Sequence, residues 1–121
     1  MERRKYSRVA TCNLISYLSV REDGQIIDQS MGKALNVSQN GIFLETSRII
    51  SSENILLMTV DLDNKLIEIK GKVVYSKDNG YGKFGNGVTF QEGGQQSVRF
   101  VSNLVRVFHN RKNDFAAAVG M

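Results

Sequence analysis

The chain has 121 residues, 41% of them hydrophobic and 23% charged, which suits one domain with a real core and is too little for two of ordinary size. No apolar run reaches the roughly 18 residues of a membrane span, the Glu-Arg-Arg-Lys start is not followed by a signal-peptide core, and one cysteine, Cys12, excludes an intrachain disulfide or a cysteine-rich metal site. The net charge of +4 favours an anionic partner without choosing among nucleotide, nucleic acid and anionic surface, and the expected location is the cytoplasm, without membrane insertion.

Residues 1–8 form a basic arm, Arg3-Arg4-Lys5-Tyr6-Ser7-Arg8, whose arginines offer planar donor forks suited to phosphate oxygens or the Hoogsteen edge of guanine. From Val9 to Val20, Ala10, Cys12, Leu14, Leu18 and Val20 recur at period two, which predicts a strand with those residues inward and Cys12 as a packing residue. Asp23-Gly24 marks a hairpin turn, and a second strand is expected over about 25–35. The segment Asn36-Val37-Ser38-Gln39-Asn40-Gly41 is polar and turn-prone, so it falls at a connection where a sheet can hold it open to a ligand. There asparagine can bond a base edge, a serine hydroxyl can serve base or phosphate, and glycine permits close backbone approach. Arm and connection together suit a guanine nucleotide with phosphates.

Beyond Gly41-Ile42-Phe43-Leu44, strands are expected over 55–62 and 66–75. In the latter, Ile67, Ile69, Gly71, Val73 and Tyr75 share the inward face, which assigns Tyr75 to the core. Residues 77–82 read as a turn-rich loop and 83–91 as the strand that closes the sheet. After Gly93-Gly94 the period changes, and Val98, Val101, Val105 and Phe108, with Leu104 beside them, predict an amphipathic helix over about 95–110. That stripe suits covering an open part of a barrel, or a homodimer contact. The only histidine, His109, reads as a helix-surface residue, and 113–121 as a frayed tail. The expected fold is all-β with a C-terminal helix, one domain over 1–112 with its barrel at 9–91.

Arg4-x-x-x-Arg8 followed by Asn36-x-Ser38-x-x-Gly41 resembles the signature of the PilZ domain family, bacterial receptors for cyclic dimeric GMP (c-di-GMP). Gly41-Ile42-Phe43-Leu44 resembles the family's strand after that glycine, and Gly85-Asn86-Gly87-Val88-Thr89-Phe90 its closing strand, so nearly the whole chain is covered. The resemblance implies a six-stranded antiparallel barrel of PilZ type. It also implies a non-enzymatic receptor in which the arm folds over c-di-GMP, Arg4 and Arg8 engage phosphate and guanine, and Asn36, Ser38 and Gly41 face the other side of the ligand. An arginine at the place of Arg3 goes in the family with two intercalated ligand molecules. Some members carry a guanine-stacking aromatic near the place of Tyr75.

As implied by the family, such a chain would signal in trans to a downstream protein controlling motility, attachment or exopolysaccharide. The ligand is c-di-GMP and no cofactor is called for. The alternative is a PilZ-like interaction module that binds no nucleotide. Single-stranded nucleic acid is disfavoured, because most aromatics fall at core-phase positions instead of lining a basic groove. Catalysis is not expected either, since no nucleophile-base pair, metal cluster or P-loop is legible.

Overall fold

The structure is a computed structural model that describes residues 9–91 and 93–118, with side chains through 110. Among the described residues six strands, β1 (Val9–Val20), β2 (Ile26–Val37), β3 (Gly41–Thr46), β4 (Asn54–Val60), β5 (Leu66–Gly80) and β6 (Lys83–Phe90), precede a single helix, α1 (Gln95–Ala118). All pairings are antiparallel. The order β1-β2-β3-β6-β5-β4 returns to β1 through the β1·β4 ladder, so every strand is paired on both sides and no sheet edge is left over.

Local turn chemistry sets the hairpins. Between β1 and β2, the Arg21 N–H donates to the Gln25 carbonyl at 2.8 Å and Gly24 takes a φ of 89°, a three-residue loop that needs a left-handed residue at that place. The loop between β4 and β5 repeats it with Asn64 at φ 65°. There the Asp61 carboxylate accepts from the backbone N–H groups of Asp63 and Lys65 at 2.8 and 2.9 Å. The expected loop over 77–82 is instead almost all strand. β5 runs to Gly80 and turns on Tyr81 and Gly82, both at positive φ, as the right-handed twist of a tight hairpin requires.

The phase expected for β1 is reversed. Its inward residues are Thr11, Asn13, Ile15, Tyr17 and Ser19, whereas Cys12 and Leu14 face outward and are exposed. Both faces of the strand carry apolar side chains, so alternation alone could not choose. Two of the inward polar groups find partners, the Thr11 hydroxyl donating to the Ala34 carbonyl at 2.7 Å and the Asn13 amide nitrogen to the Leu104 carbonyl at 3.2 Å, whereas the buried Ser19 hydroxyl and the Asn13 amide oxygen have none among the described residues.

The β1·β4 ladder ends at Ser16 and Met58, and beyond it α1 packs against β1 and β5. Its buried face is centred on Ser97, Phe100 and Leu104, with Val101 and Val105 partly covered, while Val98 is exposed. The expected stripe is therefore rotated. Phe100, absent from it, is fully buried and meets Phe90 edge-on at 5.9 Å between ring centroids. The helix also continues past the expected end at Asn110 to Ala118. Three successive alanines, 116 to 118, are the strongest helix formers, and their backbone is helical where a frayed tail was expected.

Candidate functional site on the outer face of the barrel

Two β-bulges shape the site. In β2 the register jumps from Ala34 opposite Leu44 to Asn36 opposite Phe43, leaving Leu35 as the extra residue. In β5 it jumps from Val73 opposite Val88 to Tyr75 opposite Gly87, leaving Val74 extra. Each bulge reverses the parity of the strand beyond it. Val37 thus remains inward and fully buried while Asn36 turns out, and Tyr75 leaves the core face that Ile67 and Ile69 occupy. Tyr75 is 47% exposed. Its assignment to the core is therefore corrected.

The two re-aimed residues meet on one wall. Asn36, Ser38, Gly41, Phe43, Tyr75 and Gly87 line a hollow of about 110 Å³. Its floor is made by missing side chains: a Cβ on Gly87 would strike the Tyr75 ring, and one on Gly85 the Phe43 ring. The two rings lie 6.5 Å apart at 37° and form a tilted aromatic platform, with the Lys77 ammonium 5.7 Å from the Phe43 centroid. Phe43 as a wall of the site and Lys77 beside it are additions to the expected set. The Gly85-x-Gly87 spacing, which strips one face of a strand of side chains, is the sequence signal that points to them.

Ser38 and Gly41 have structural duties of their own. The N–H of Ser38 donates to the Gly41 carbonyl at 2.9 Å and the N–H of Gly41 back to the Ser38 carbonyl at 3.3 Å, closing a two-residue turn at Gln39 and Asn40. The Ser38 hydroxyl accepts from the Asn40 N–H at 3.3 Å, a local bond typical of serine in turns. Gly41 presses against β6, where a Cβ would collide with the Val88 carbonyl oxygen. Its need is close strand contact and not a left-handed φ.

Arg3, Arg4 and Arg8 lie outside the described residues. The barrel itself begins at Val9, opposite Val37, with Ala10 opposite Asn36, so the chain enters β1 beside the 36–41 connection. The wall combines stacking surface, an outward carboxamide and a cation, the complement of a flat, hydrogen-bonding base joined to an anionic phosphate.

The PilZ domain family model matches residues 2–106. Among curated protein sequences there is no significant match. Among solved structures, the PilZ domain of YcgR from Escherichia coli, determined with c-di-GMP, aligns with a TM-score of 0.63 at 10% identity, covering 96% of this chain and 98% of that one. The Bacillus subtilis inhibitor of motility, MotI/DgrA, aligns at 0.61 and 18% identity over 93% of this chain and 53% of that one. The MrkH–c-di-GMP complex of K. pneumonia aligns at 0.62 and 14% over 94% and 55%. The chain thus spans about half the length of MotI and MrkH, and at these identities the likeness is one of fold.

Proposed function

The chain belongs to the PilZ domain family, and we propose that it is a non-enzymatic receptor for c-di-GMP that passes the binding event to a downstream protein. The observation that carries the reading is the convergence of Asn36, Ser38 and Tyr75 on one hollow, at the place where β1 leaves the segment bearing the arginine motif. c-di-GMP presents two guanines and two phosphates with about two negative charges, which calls for charge-assisted donors. The hollow is too small to enclose it.

In this reading Arg4 and Arg8 complete the site, gripping phosphate and the Hoogsteen edges of guanine while Asn36 and Ser38 meet the ligand from the barrel side. Tyr75 and Phe43 support a base from below, and Gly41 keeps the 36–41 turn against β6. Arg3 supports a second, intercalated ligand molecule. The downstream process belongs to motility, attachment or exopolysaccharide control, a reading supported by a motility inhibitor among proteins of similar fold. Its setting is the cytoplasm, where a soluble nucleotide is available; among the described residues no helix is long and apolar enough to cross a membrane.

Calorimetric titration with c-di-GMP, with GTP and a single-stranded oligonucleotide as controls, tests the proposal. Saturable heat is expected with c-di-GMP alone, at two molecules per protomer, falling toward one in Arg3→Leu. No heat at millimolar ligand would leave the interaction module that binds no nucleotide as the better reading, and equal binding of the oligonucleotide would favour a nucleic-acid function.

A further inference from the structure

The wall of the barrel opposite the candidate site is apolar where it should be wet. In the ring order, β3 and β6 carry the nucleotide face, and β1 and β4 lie across from them. On the outward rungs of the β1·β4 ladder Ser16 pairs with Met58 and Leu18 with Leu56. The neighbouring outward residues Leu14, Met31, Val60 and Leu66 are each about half exposed or more. Two hollows follow this line. One of about 260 Å³ is lined by Leu14, Met31, Met58, Val60 and Leu66, and one of about 330 Å³ by Leu18, Val20, Ile26 and Leu56. Contiguous apolar surface of this kind marks an interaction site more often than it occurs by chance on a monomer, and methionines make such surfaces adaptable.

Charge around the line indicates what covers it. Lys33 stands opposite Leu14 and Lys70 opposite Leu56, and neither forms an ion pair among the described residues. At the hairpin end, Arg99 and Arg106 of α1 border a further hollow with Asp61, whose carboxylate is already engaged by two backbone N–H groups. The carboxylates on these rungs are Glu68, opposite Met58, and Glu45, which faces Lys33 from β3, so with Asp61 they are outnumbered by Lys33, Lys70, Arg99 and Arg106. Cations therefore flank the apolar line on both sides and at one end. A second copy laid face to face would set one net-positive rim against another, and a flat anionic membrane would leave the concave hollows unfilled.

We propose that this face is the docking groove for an amphipathic helix of a partner protein, with leucine-like anchors in the two hollows and acidic residues on its flanks. Leu14 and Leu18 are four residues apart along the strand, about 13 Å at the usual rise. A helix rises about 10.5–12 Å over seven or eight residues, close to that span, so anchors at i and i+7 or i+8 reach from one hollow to the other. The proposal rests on the receptor reading, since it supplies the surface by which such a receptor passes its signal on. Because groove and nucleotide face are opposite walls of one barrel, partner and c-di-GMP are held together without competing for space.

A display library of helical peptides tests this, with leucine fixed at i, i+4, i+7 and i+11 and flanking positions varied among Glu, Gln and Lys, selected on the full chain. Glu-rich winners are expected. Their affinity should fall at least tenfold with Leu18→Asp, and the charge preference should invert toward Lys in a Lys33→Glu/Lys70→Glu variant. Those two lysines are surface positions, so that variant keeps the test decisive even where Leu18→Asp unfolds. Failure to enrich any peptide, winners rich in Gln or Lys, or winners indifferent to both variants would overturn the proposal. So would self-association of the chain abolished by Leu18→Asp, which indicates a second copy, or stronger retention on phosphatidylglycerol vesicles than on any peptide, which indicates a membrane. Calorimetry with c-di-GMP on the same preparation separates the two readings, because lost peptide binding with intact nucleotide binding removes only the groove.

Discussion

Tyr75 is the residue on which the candidate site is most exposed to test. Its ring lies over Gly87 and beside Phe43, on the outer surface and not in the core, so truncating it should remove stacking without opening a cavity. Tyr75→Ala is expected to weaken c-di-GMP binding by about 1–3 kcal/mol, the usual worth of a base on an aromatic platform, with little change in melting temperature. Tyr75→Phe should bind nearly as well, and a large loss in Tyr75→Phe would show that the hydroxyl and not the ring is used. Arg4→Ala and Arg8→Ala should each cost about 1.5–3 kcal/mol of binding through lost charge-assisted hydrogen bonds, or about tenfold or more in titrations. Asn36, Ser38 and Gly41 were legible in the sequence as a motif because their chemistry is local to one turn. For Tyr75 the family resemblance points to the ligand while alternation points to the core, because the extra residue Val74 changes which face an odd-numbered residue occupies, and a bulge leaves no mark in an alternating pattern.

At the scale of elements, hairpins are readable where a turn residue with a special φ punctuates them, as at Gly24 and Asn64, whereas the turn-rich composition of 77–82 hides a strand that runs to Gly80. Phase was less readable. β1 carries Leu14 and Leu18 on one face and Ile15 and Tyr17 on the other, and only the pairing with β2 and the helix decides which face is covered. The helix stripe is ambiguous for a related reason: valines at three- and four-residue spacing suggest one face, while Phe100, the bulkier side chain, sets the face that is buried. The β4–β5 hairpin carries a testable electrostatic device. The Lys65 N–H bonded to the Asp61 carboxylate, then the Asp63 N–H and the charges of Lys65 and Arg99, hold Asp61 below the ordinary carboxylate range. A depressed folded-state pKa contributes stability that is present above the unfolded value and lost as pH falls through the folded one. In urea unfolding, the native chain should therefore exceed Asp61→Asn in stability at pH 6, with the difference shrinking as pH drops below about 4. A difference independent of pH would remove the ionic part of this account.

The whole molecule is a ring with one helical seal. Phe100 and Leu104 are fully buried where β1 and β4 part company, so the helix and not the ladder closes that end of the core. Phe100→Ala should cost about 3–5 kcal/mol in unfolding free energy, while c-di-GMP affinity in the folded fraction stays close to native because Phe100 meets β6 at Phe90 from the core side and the hollow lies on the outer face. A matching loss of affinity per folded molecule would mean that helix and nucleotide face are coupled. The central claim is that the nucleotide binds this outer wall, formed where two bulges turn Asn36 and Tyr75 outward over a floor of glycines. The most direct measurement is residue-resolved NMR of the backbone amides during titration with c-di-GMP. The predicted result is large shifts at Asn36 to Phe43, Tyr75 to Lys77 and Gly85 to Gly87, with the amides of Leu14 to Leu18 and Leu56 to Met58 nearly still. Shifts concentrated on β1 and β4, or none at saturating ligand, would contradict it.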